Sequence, residues 1–530
     1  MTRPLALLGA ICVGALILRL LLLPLIAHPG IADPNHYYNL GLRLADGHGF
    51  TIDYIWQYSL PPDALAHPEE HWMPLTAVIA AGPLALFGES VAAALLPFIL
   101  IGALLPALSY WAARQLDLGP AASLFAAGCT ALLPEFVLNS LRTDTTILMA
   151  LCVGTSILLL VRGLRRDRLP ALIGSGIAAG LAYLTRSDGA LLLPMLAVTL
   201  IAAVVWGKQA TGGSRRARWR AALVIPAAAA VVAAPWIARN LAVLGTPTTP
   251  EARSMFFFTH HDDHYAYGRE FSLETLLAAQ TPAEIINKRL FEMAAAAQMM
   301  AATLDVFLPV AVAGGALLLI GARDGRRQGR WLALSPALIL LFGGFVAYTI
   351  FLPYKSQAGS FKKFWLAIVP LIIPLAAYAL ERTIPERRLR FGAMGLVIAL
   401  LAANAFQLVR TDARFTAAYL DEISAVAERA QTLPDTNGDG TLVLMVQDPY
   451  MLRYVGIQSV IYPFEDRATI LQVAARYGVD YLLMPPNRPA LDPLYTQLET
   501  DSRIRWAADL PGTQYVFYAY DAVDVVAEGP

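Results

Sequence analysis

The chain of 530 residues has little charge, no surplus of basic residues and only three cysteines. Charged residues make up 15% of it and hydrophobic residues 57%, whereas a soluble domain is typically about 25% charged. This composition excludes an ordinary soluble protein. The net charge is zero, so nucleic acid is not an expected partner. The cysteines lie inside apolar runs, which excludes a disulfide framework and a cysteine zinc site. Phosphate-loop and dinucleotide-binding motifs are absent.

Long apolar runs divide the first 410 residues, and five of the connectors between them are rich in arginine. Such positive loops stay in the cytoplasm, and all five share one side only if the run 73–88 does not cross. That run has 16 residues and contains two prolines, so we predict an interfacial or re-entrant helix on the outer face. The other eleven runs are predicted spans: 5–27, 91–113, 120–138, 143–162, 170–185, 189–206, 221–243, 303–321, 331–352, 362–380 and 391–409.

Two domains follow from this arrangement. Residues 1–410 form a polytopic α-helical membrane domain of about eleven transmembrane helices, with a cytoplasmic N-terminus. Residues 411–530 contain TLVLMVQ, SVIYP and VDYLLMPP, which are typical of short buried strands, and an amphipathic helical pattern between the last two. Strands alternating with a helix predict a small extracytoplasmic α/β domain. Before the first strand, LPDTNGDG is typical of a turn, and no glutamate follows at the spacing of a calcium loop.

All eight histidines lie in two long polar loops, 28–90 and 244–302, that the same topology places outside. A membrane protein that gathers its titratable side chains on one face is expected to carry out chemistry there.

Two aspartates at the outer ends of predicted spans are candidate catalytic residues. Asp33 follows the first span, where a carboxylate could act as a general base on an acceptor hydroxyl. Asp144 stands at the entrance of the fourth span, with Arg142 as a possible partner. Each aspartate could instead cap a helix, since Asp33 precedes a proline and a helical pattern, and Thr143 or Asp144 could begin the next helix.

Four basic residues lie in predicted outer segments, although positive residues normally stay on the cytoplasmic side. Arg186 could hold a phosphate bidentately, although Asp188 offers a local ion pair. Lys355, Lys362 and Lys363 share one outer connector, where a lipid-carrier phosphate would explain them and contact with lipid headgroups is the alternative.

The remaining candidates are in the two loops. The histidines of FFFTHHDDHYAYGREF, with Glu70 or His71 as a partner, could bind a divalent metal such as zinc, or the segment could be a flexible polar lip. The aromatic residues of the first loop could form an interfacial belt or stack on a sugar. These candidates are His260, His261, His264, Glu70, His71, Tyr37 and Tyr38.

In order along the chain, these pieces resemble the GT-C membrane glycosyltransferases, and within them the protein mannosyltransferase and lipid A aminoarabinose transferase group. The resemblance is carried by ADPNHYYNLGLRLADGHGF, EEHWMPLTAVIAAGPLALFGES, a later TD, GLAYLTRSDGALLLP and APWIARNLAVLGTP. It covers most of 1–410, and the α/β tail is similar to the outer domain of many bacterial members. Where the family often has an acidic pair, this chain has Asp33-Pro34, which leaves a single carboxylate.

The resemblance implies a bacterial inner-membrane enzyme. It would move a sugar from a polyprenyl-phosphate donor to a lipid, glycan or protein hydroxyl, with inversion at the anomeric carbon. Asp33 would be the base and Asp144 a second carboxylate, while Arg186, Lys362 and Lys363 would contact the donor phosphate. No cofactor is required, although a divalent metal is possible.

Two other functions fit parts of the pattern. A transporter or flippase of a lipid-linked glycan would explain the many spans and predicts charges at mid-membrane, for which Arg19 is the clear candidate. An interaction protein anchored by its spans would place the function in the tail, but eleven spans exceed what an anchor needs.

Overall fold

The computed structural model of the chain describes residues 3–205, 214–249, 251–305, 307–322, 327–352, 359–484, 503–513 and 515–521. Their α-helices are α1 Arg3–Leu22, α2 Asp33–Ala45, α3 Leu75–Phe87, α4 Val91–Gln115, α5 Pro120–Leu132, α6 Pro134–Asn139, α7 Thr145–Arg166, α8 Leu169–Thr185, α9 Leu192–Val205, α10 Arg215–Leu244, α11 Glu251–Ser254, α12 Leu273–Ala279, α13 Pro282–Leu304, α14 Leu308–Gly321, α15 Arg327–Val346, α16 Ser360–Ile372, α17 Pro374–Thr383, α18 Arg387–Ala430, α19 Pro449–Tyr454 and α20 Arg467–Arg476. The strands are β1 Thr51–Ile52, β2 His67–Pro68, β3 Val443–Val446, β4 Gln458–Ile461, β5 Tyr481–Met484, β6 Ile504–Asp509 and β7 Val516–Tyr520.

The membrane domain is polytopic and helical, as predicted. By length and composition, six of the described helices could cross a membrane, or eight if each of two bent pairs forms one span. The bent pairs are α13 with α14, at 105°, and α16 with α17, at 43°. Three further predicted spans coincide with shorter apolar helices: α5, α8 and the segment Ser187–Ala202. The run 73–88 forms the 13-residue helix α3, which is shorter than a span requires.

Arg19, on the first helix, is fully buried between helices. Its guanidinium donates to Ser140 Oγ at 2.9 Å and to the main-chain oxygens of Ala131 at 3.2 Å and Phe136 at 3.4 Å. These acceptors surround the break between α5 and α6, where Pro134 interrupts the helical hydrogen bonds. Arg19 therefore satisfies carbonyl groups at a broken helix. This structural role accounts for a buried arginine without invoking a transport function.

The C-terminal α/β unit is a five-stranded sheet in the order β4-β3-β5-β7-β6. β3 pairs in parallel with β4 and β5, and β7 pairs antiparallel with β5 and β6. The three predicted strands are β3, β4 and β5, and the predicted amphipathic helix is α20, so the α/β class is confirmed. The 44-residue helix α18 runs through the predicted domain boundary at residue 410.

The loop 28–90 continues this sheet instead of standing free. Ile55 forms a parallel bridge to Val460, with Ile55 N donating to Ser459 O at 3.1 Å and Ile461 N donating to Ile55 O at 2.8 Å. The outer edge of β4 is thereby paired, and the loop is held between the membrane helices and the sheet.

Candidate active site

Three charged side chains from distant parts of the chain meet at one point. Lys363 Nζ lies 2.8 Å from Asp33 Oδ2 and 2.5 Å from Asp144 Oδ2. Asp33 begins α2, Asp144 precedes α7, and Lys363 lies in the first turn of α16. The two predicted carboxylates therefore share one ammonium group, which offsets their mutual repulsion.

Asp33 is the first residue of α2 and does not cap it. Ala32 occupies the N-cap position with φ 61°, and the side chain there makes no capping hydrogen bond. Pro34 fits the first turn because its missing N–H would have no helical partner. The Asp33 side chain is 32% exposed, so it can be reached from the cavity beside it.

Asp144 serves as a cap and as a site residue at once. Its Oδ1 accepts from Thr146 N at 2.7 Å and from Thr146 Oγ1 at 2.5 Å, while Oδ2 faces Lys363. Its side chain is only 3% exposed. Of the two carboxylates, Asp144 is thus fixed and Asp33 is accessible.

These residues line a cavity of about 230 Å³. Lys362 enters it and pairs with Glu135 at 2.7 Å, and Asn139 Nδ2 donates to the same carboxylate at 3.2 Å. Arg142 also lines the cavity, but it pairs with Asp412 of α18 and is not the partner of Asp144. The lining is Ile31, Ala32, Asp33, Pro34, Asn139, Arg142, Asp144, Thr146, Gly359, Lys362, Lys363 and Leu366.

The sequence interpretation missed Glu135 and Asn139 as members of this site, and it gave Arg142 the wrong partner. Glu135 carried a usable signal, because a carboxylate inside a predicted apolar span is costly unless it is paired. Asn139 carried none beyond its closeness to Asp144 in the chain.

The other predicted phosphate-binding cations differ from the lysine pair in their surroundings. Arg186 is held by Asp188, whose Oδ2 accepts from Arg186 Nη2 at 2.9 Å and from Tyr348 Oη at 2.6 Å. The local ion pair that the sequence left open is therefore present. Lys355 lies outside the described residues. A phosphate-binding role for these two residues stays a prediction.

A second cluster of charged groups joins the two histidine-bearing loops. Glu251 lies 2.6 Å from His71 Nδ1 on the first loop and also pairs with His264 on its own loop. Glu69 lies 3.1 Å from His36 Nε2 and accepts from the backbone N–H groups of His71 and Trp72 at 2.7 and 2.8 Å. Although burial opposes ionisation, His36 and these N–H groups lower the pKa of Glu69 to about 2.

Glu70 differs from its neighbours because it has no strong cationic partner. Burial, and then the Glu69 carboxylate, raise the pKa of Glu70 to about 8. Gln57 Nε2 donates to it at 3.3 Å, and His67 Nε2 is 4.0 Å away. His71 has the opposite balance, since Glu251 outweighs burial and raises the pKa of His71. Of the ionisable groups in this cluster, Glu70 is therefore the one whose ionisation destabilises the folded state most.

We expect Glu70→Gln to stabilise the protein at alkaline pH and not at acidic pH. A folded-state pKa above the unfolded value means that the folded chain binds the proton more tightly, so wild-type stability falls as pH rises from 4.5 to about 8. Because glutamine does not ionise, the stability of the variant does not fall in this way as pH rises. Its melting temperature should exceed that of the wild type by about 3 °C at pH 9 and match it near pH 4.5. Thermal unfolding of Glu70→Gln beside Glu274→Gln, an exposed control, tests this. A gain independent of pH would contradict it.

His261 and His264 lie near each other, with ring centroids 5.2 Å apart, but the predicted metal-binding histidines do not form a ligand set among the described residues. His260 and His261 are more than half exposed and lie 3.8 and 3.6 Å from Asp262 oxygens, while His264 pairs with Glu251. Within the described ranges, no group of three or more histidine, cysteine, aspartate or glutamate side chains is arranged to hold a metal ion.

Tyr37 and Tyr38 are each 1% exposed, so neither presents a ring to lipid or to a sugar. Tyr37 packs edge-on against Trp72 with ring centroids 5.3 Å apart, and Tyr38 packs against Tyr454 at 5.7 Å. The expectation that they stack on substrate is corrected, because the C-terminal unit and the first loop bury both faces of α2.

Comparisons with known proteins agree with this architecture. Residues 66–239 match the dolichyl-phosphate-mannose-protein mannosyltransferase family. The structure is similar to that of ArnT from Cupriavidus metallidurans bound to undecaprenyl phosphate, with 17% identity, 99% of each chain covered and a TM-score of 0.60. It is also similar to the Archaeoglobus fulgidus oligosaccharyltransferase tethered to an acceptor peptide, with 15% identity, 89% of this chain and 69% of that chain covered and a TM-score of 0.57.

A second structure from Archaeoglobus fulgidus, the oligosaccharyltransferase AglB in complex with an inhibitory peptide and a dolichol-phosphate, is similar at 15% identity. The similarity covers 97% of this chain and 74% of that chain, with a TM-score of 0.56. No curated protein matches the sequence significantly. The family match over residues 66–239 agrees with the resemblance predicted from the sequence, and the structural similarity shows that the chain shares the fold of these proteins.

Proposed function

We propose that the protein is an inverting glycosyltransferase that moves a sugar from a polyprenyl-phosphate donor to an acceptor hydroxyl on the outer face of a bacterial inner membrane. The observation that carries this proposal is the pair of carboxylates, Asp33 and Asp144, facing one lysine in a cavity at the ends of membrane helices. The fold supports it, because the similar structures include proteins described with undecaprenyl phosphate and with a dolichol-phosphate.

In the proposed reaction Asp33 is the general base. It is the more exposed of the two carboxylates, so an acceptor hydroxyl in the cavity can donate to it. As the acceptor oxygen attacks the anomeric carbon, its proton passes to Asp33, the carbon–oxygen bond to the phosphate breaks, and the configuration inverts. Asp144 remains a carboxylate and holds Lys363 in place.

Positive charge for the departing lipid phosphate is available at the same cavity. Lys362, Lys363 and Arg142 all line it, and each pairs with a carboxylate in the structure. A phosphate entering the cavity would compete with those carboxylates for the cations, and prepositioned cations stabilise charge that grows on a leaving group. The proposal assigns this task to side chains and requires neither nucleotide nor metal.

Mass spectrometry of envelope glycoconjugates, from cells with the wild-type gene and from cells without it, tests the proposal and identifies the sugar and the acceptor. We expect one glycosyl unit to be missing without the protein. Purified protein in nanodiscs should then transfer that unit from its polyprenyl-phosphate donor, at a rate unchanged by EDTA. Accumulation of an intact lipid-linked glycan on the inner leaflet would instead favour the transporter, and a rate abolished by EDTA would show that a divalent metal is required.

A further inference from the structure

The helix that begins at Asp33 is held from one side by the C-terminal α/β unit. α19 lies along α2, where Asn39 Nδ2 donates to Tyr450 O at 2.9 Å. Tyr454, the last residue of α19, packs edge-on against His28 with ring centroids 4.7 Å apart. These contacts join residues more than 400 positions apart in the chain.

An ion cluster fixes the other end of α2 to the same unit. Arg453 Nε lies 2.8 Å from both carboxylate oxygens of Asp53, and Arg43 Nη1 lies 2.9 Å from Asp53 Oδ2. Arg43 is in the last turn of α2, and Arg453 is in α19. The Asp53 side chain is 14% exposed, so its two arginine partners are not freely replaced by water.

α19 is in turn fixed to the long helix α18. Asp448, which precedes α19, accepts from Tyr419 Oη at 2.5 Å and from Tyr450 Oη at 2.9 Å. Tyr419 belongs to α18, the helix whose Asp412 pairs with Arg142 at the cavity wall. α19 therefore links α2 to α18 at the cavity wall, in addition to the direct packing of α2 on α3 around Gly41 and Ala80.

We propose that α19 positions α2, and through it Asp33, with Arg453 as the positioning residue. Arg453 does not line the cavity, and its described side-chain contacts are with Asp53. The inference rests on the proposed function only in that Asp33 is taken as the base. Its structural part, that the C-terminal unit limits the motion of α2, stands apart from any activity.

Two measurements on the full-length protein in nanodiscs test it. Arg453→Glu places a negative charge beside Asp53, and Arg453→Gln removes the contact with less disruption. We expect amide hydrogen exchange across 33–45 to rise at least tenfold in Arg453→Glu and less in Arg453→Gln, with Arg453→Lys near the wild type. In transfer assays kcat should fall about tenfold while the donor KM is unchanged. Arg505→Gln, at an exposed site on β6 of the same C-terminal unit, is the control.

The outcomes separate the two claims. Exchange and kcat both at wild-type level in Arg453→Glu and Arg453→Gln would overturn the positioning role. If amide exchange rises across the whole chain, and Arg453→Lys exchanges as fast as Arg453→Gln, Arg453 has a purely structural role. That result would also overturn the positioning role. If wild-type protein transfers no sugar, the proposed function fails, and the exchange of 33–45 still decides whether α19 holds α2.

Discussion

Asp33→Asn should lower the transfer rate by about 10³-fold while the protein still folds and still binds the donor. A positioned general base contributes roughly 10²–10⁴-fold, and asparagine keeps the size of the side chain but cannot take up the acceptor proton. The first turn of α2 does not depend on this carboxylate, because Asp33 makes no capping hydrogen bond. The loss should therefore appear in kcat, measured with purified protein and a polyprenyl-phosphate sugar, and not in the melting temperature.

The comparison variant for this test is Asp46→Asn. Asp46 is exposed at the other end of the same helix, so it reports the effect of losing one carboxylate from α2 outside the cavity. We expect it to transfer at the wild-type rate. If Asp33→Asn kept more than a tenth of the wild-type kcat, the assignment of Asp33 as base would be wrong, and Asp144 would be the next residue to test.

The membrane architecture could be predicted because it depends on local properties of the sequence. Apolar runs, prolines and arginine-rich connectors are each visible in one short stretch, and each predicted span overlaps a described helix or broken helix. Of these, six to eight are long and apolar enough to cross a membrane. The same holds for β3, β4 and β5, whose apolar runs are bounded by turn residues. The side of the membrane on which each loop lies stays a prediction.

Pairings between distant segments could not be predicted in the same way. The preference of positive residues for the cytoplasmic side marked Lys363 as unusual. Its partners are 330 and 219 residues away in the chain, and no local sequence pattern predicts that the fold brings them together. The expectation that Tyr37 and Tyr38 stack on substrate was wrong for the same reason. Their sequence setting is a polar loop, while their burial comes from Trp72 and from Tyr454 of the C-terminal unit.

Lys363→Met should lower transfer at neutral pH by about 10²-fold and move the acidic limb of the pH–rate profile upward by about 1–2 pH units. In the wild type one ammonium group faces both carboxylates, at 2.8 and 2.5 Å. Without it, Asp33 and Asp144 repel each other, and two carboxylates that share a site retain one proton to higher pH. A protonated base cannot accept the acceptor proton, so activity should partly return as pH rises. Profiles of kcat/KM from pH 5 to 9 test this.

Lys362→Met separates this effect from simple loss of a cation at the cavity. Lys362 lies beside Lys363 but pairs with Glu135, so its removal should raise the donor KM and leave the acidic limb where it is. Lys288→Met, at an exposed site on α13, should change neither. A uniform loss in Lys363→Met at every pH would contradict the electrostatic argument and would leave Lys363 as a contact for the donor phosphate alone. An upward shift restricted to Lys363→Met would mean that the ammonium group that pairs with both carboxylates sets the pH range of activity.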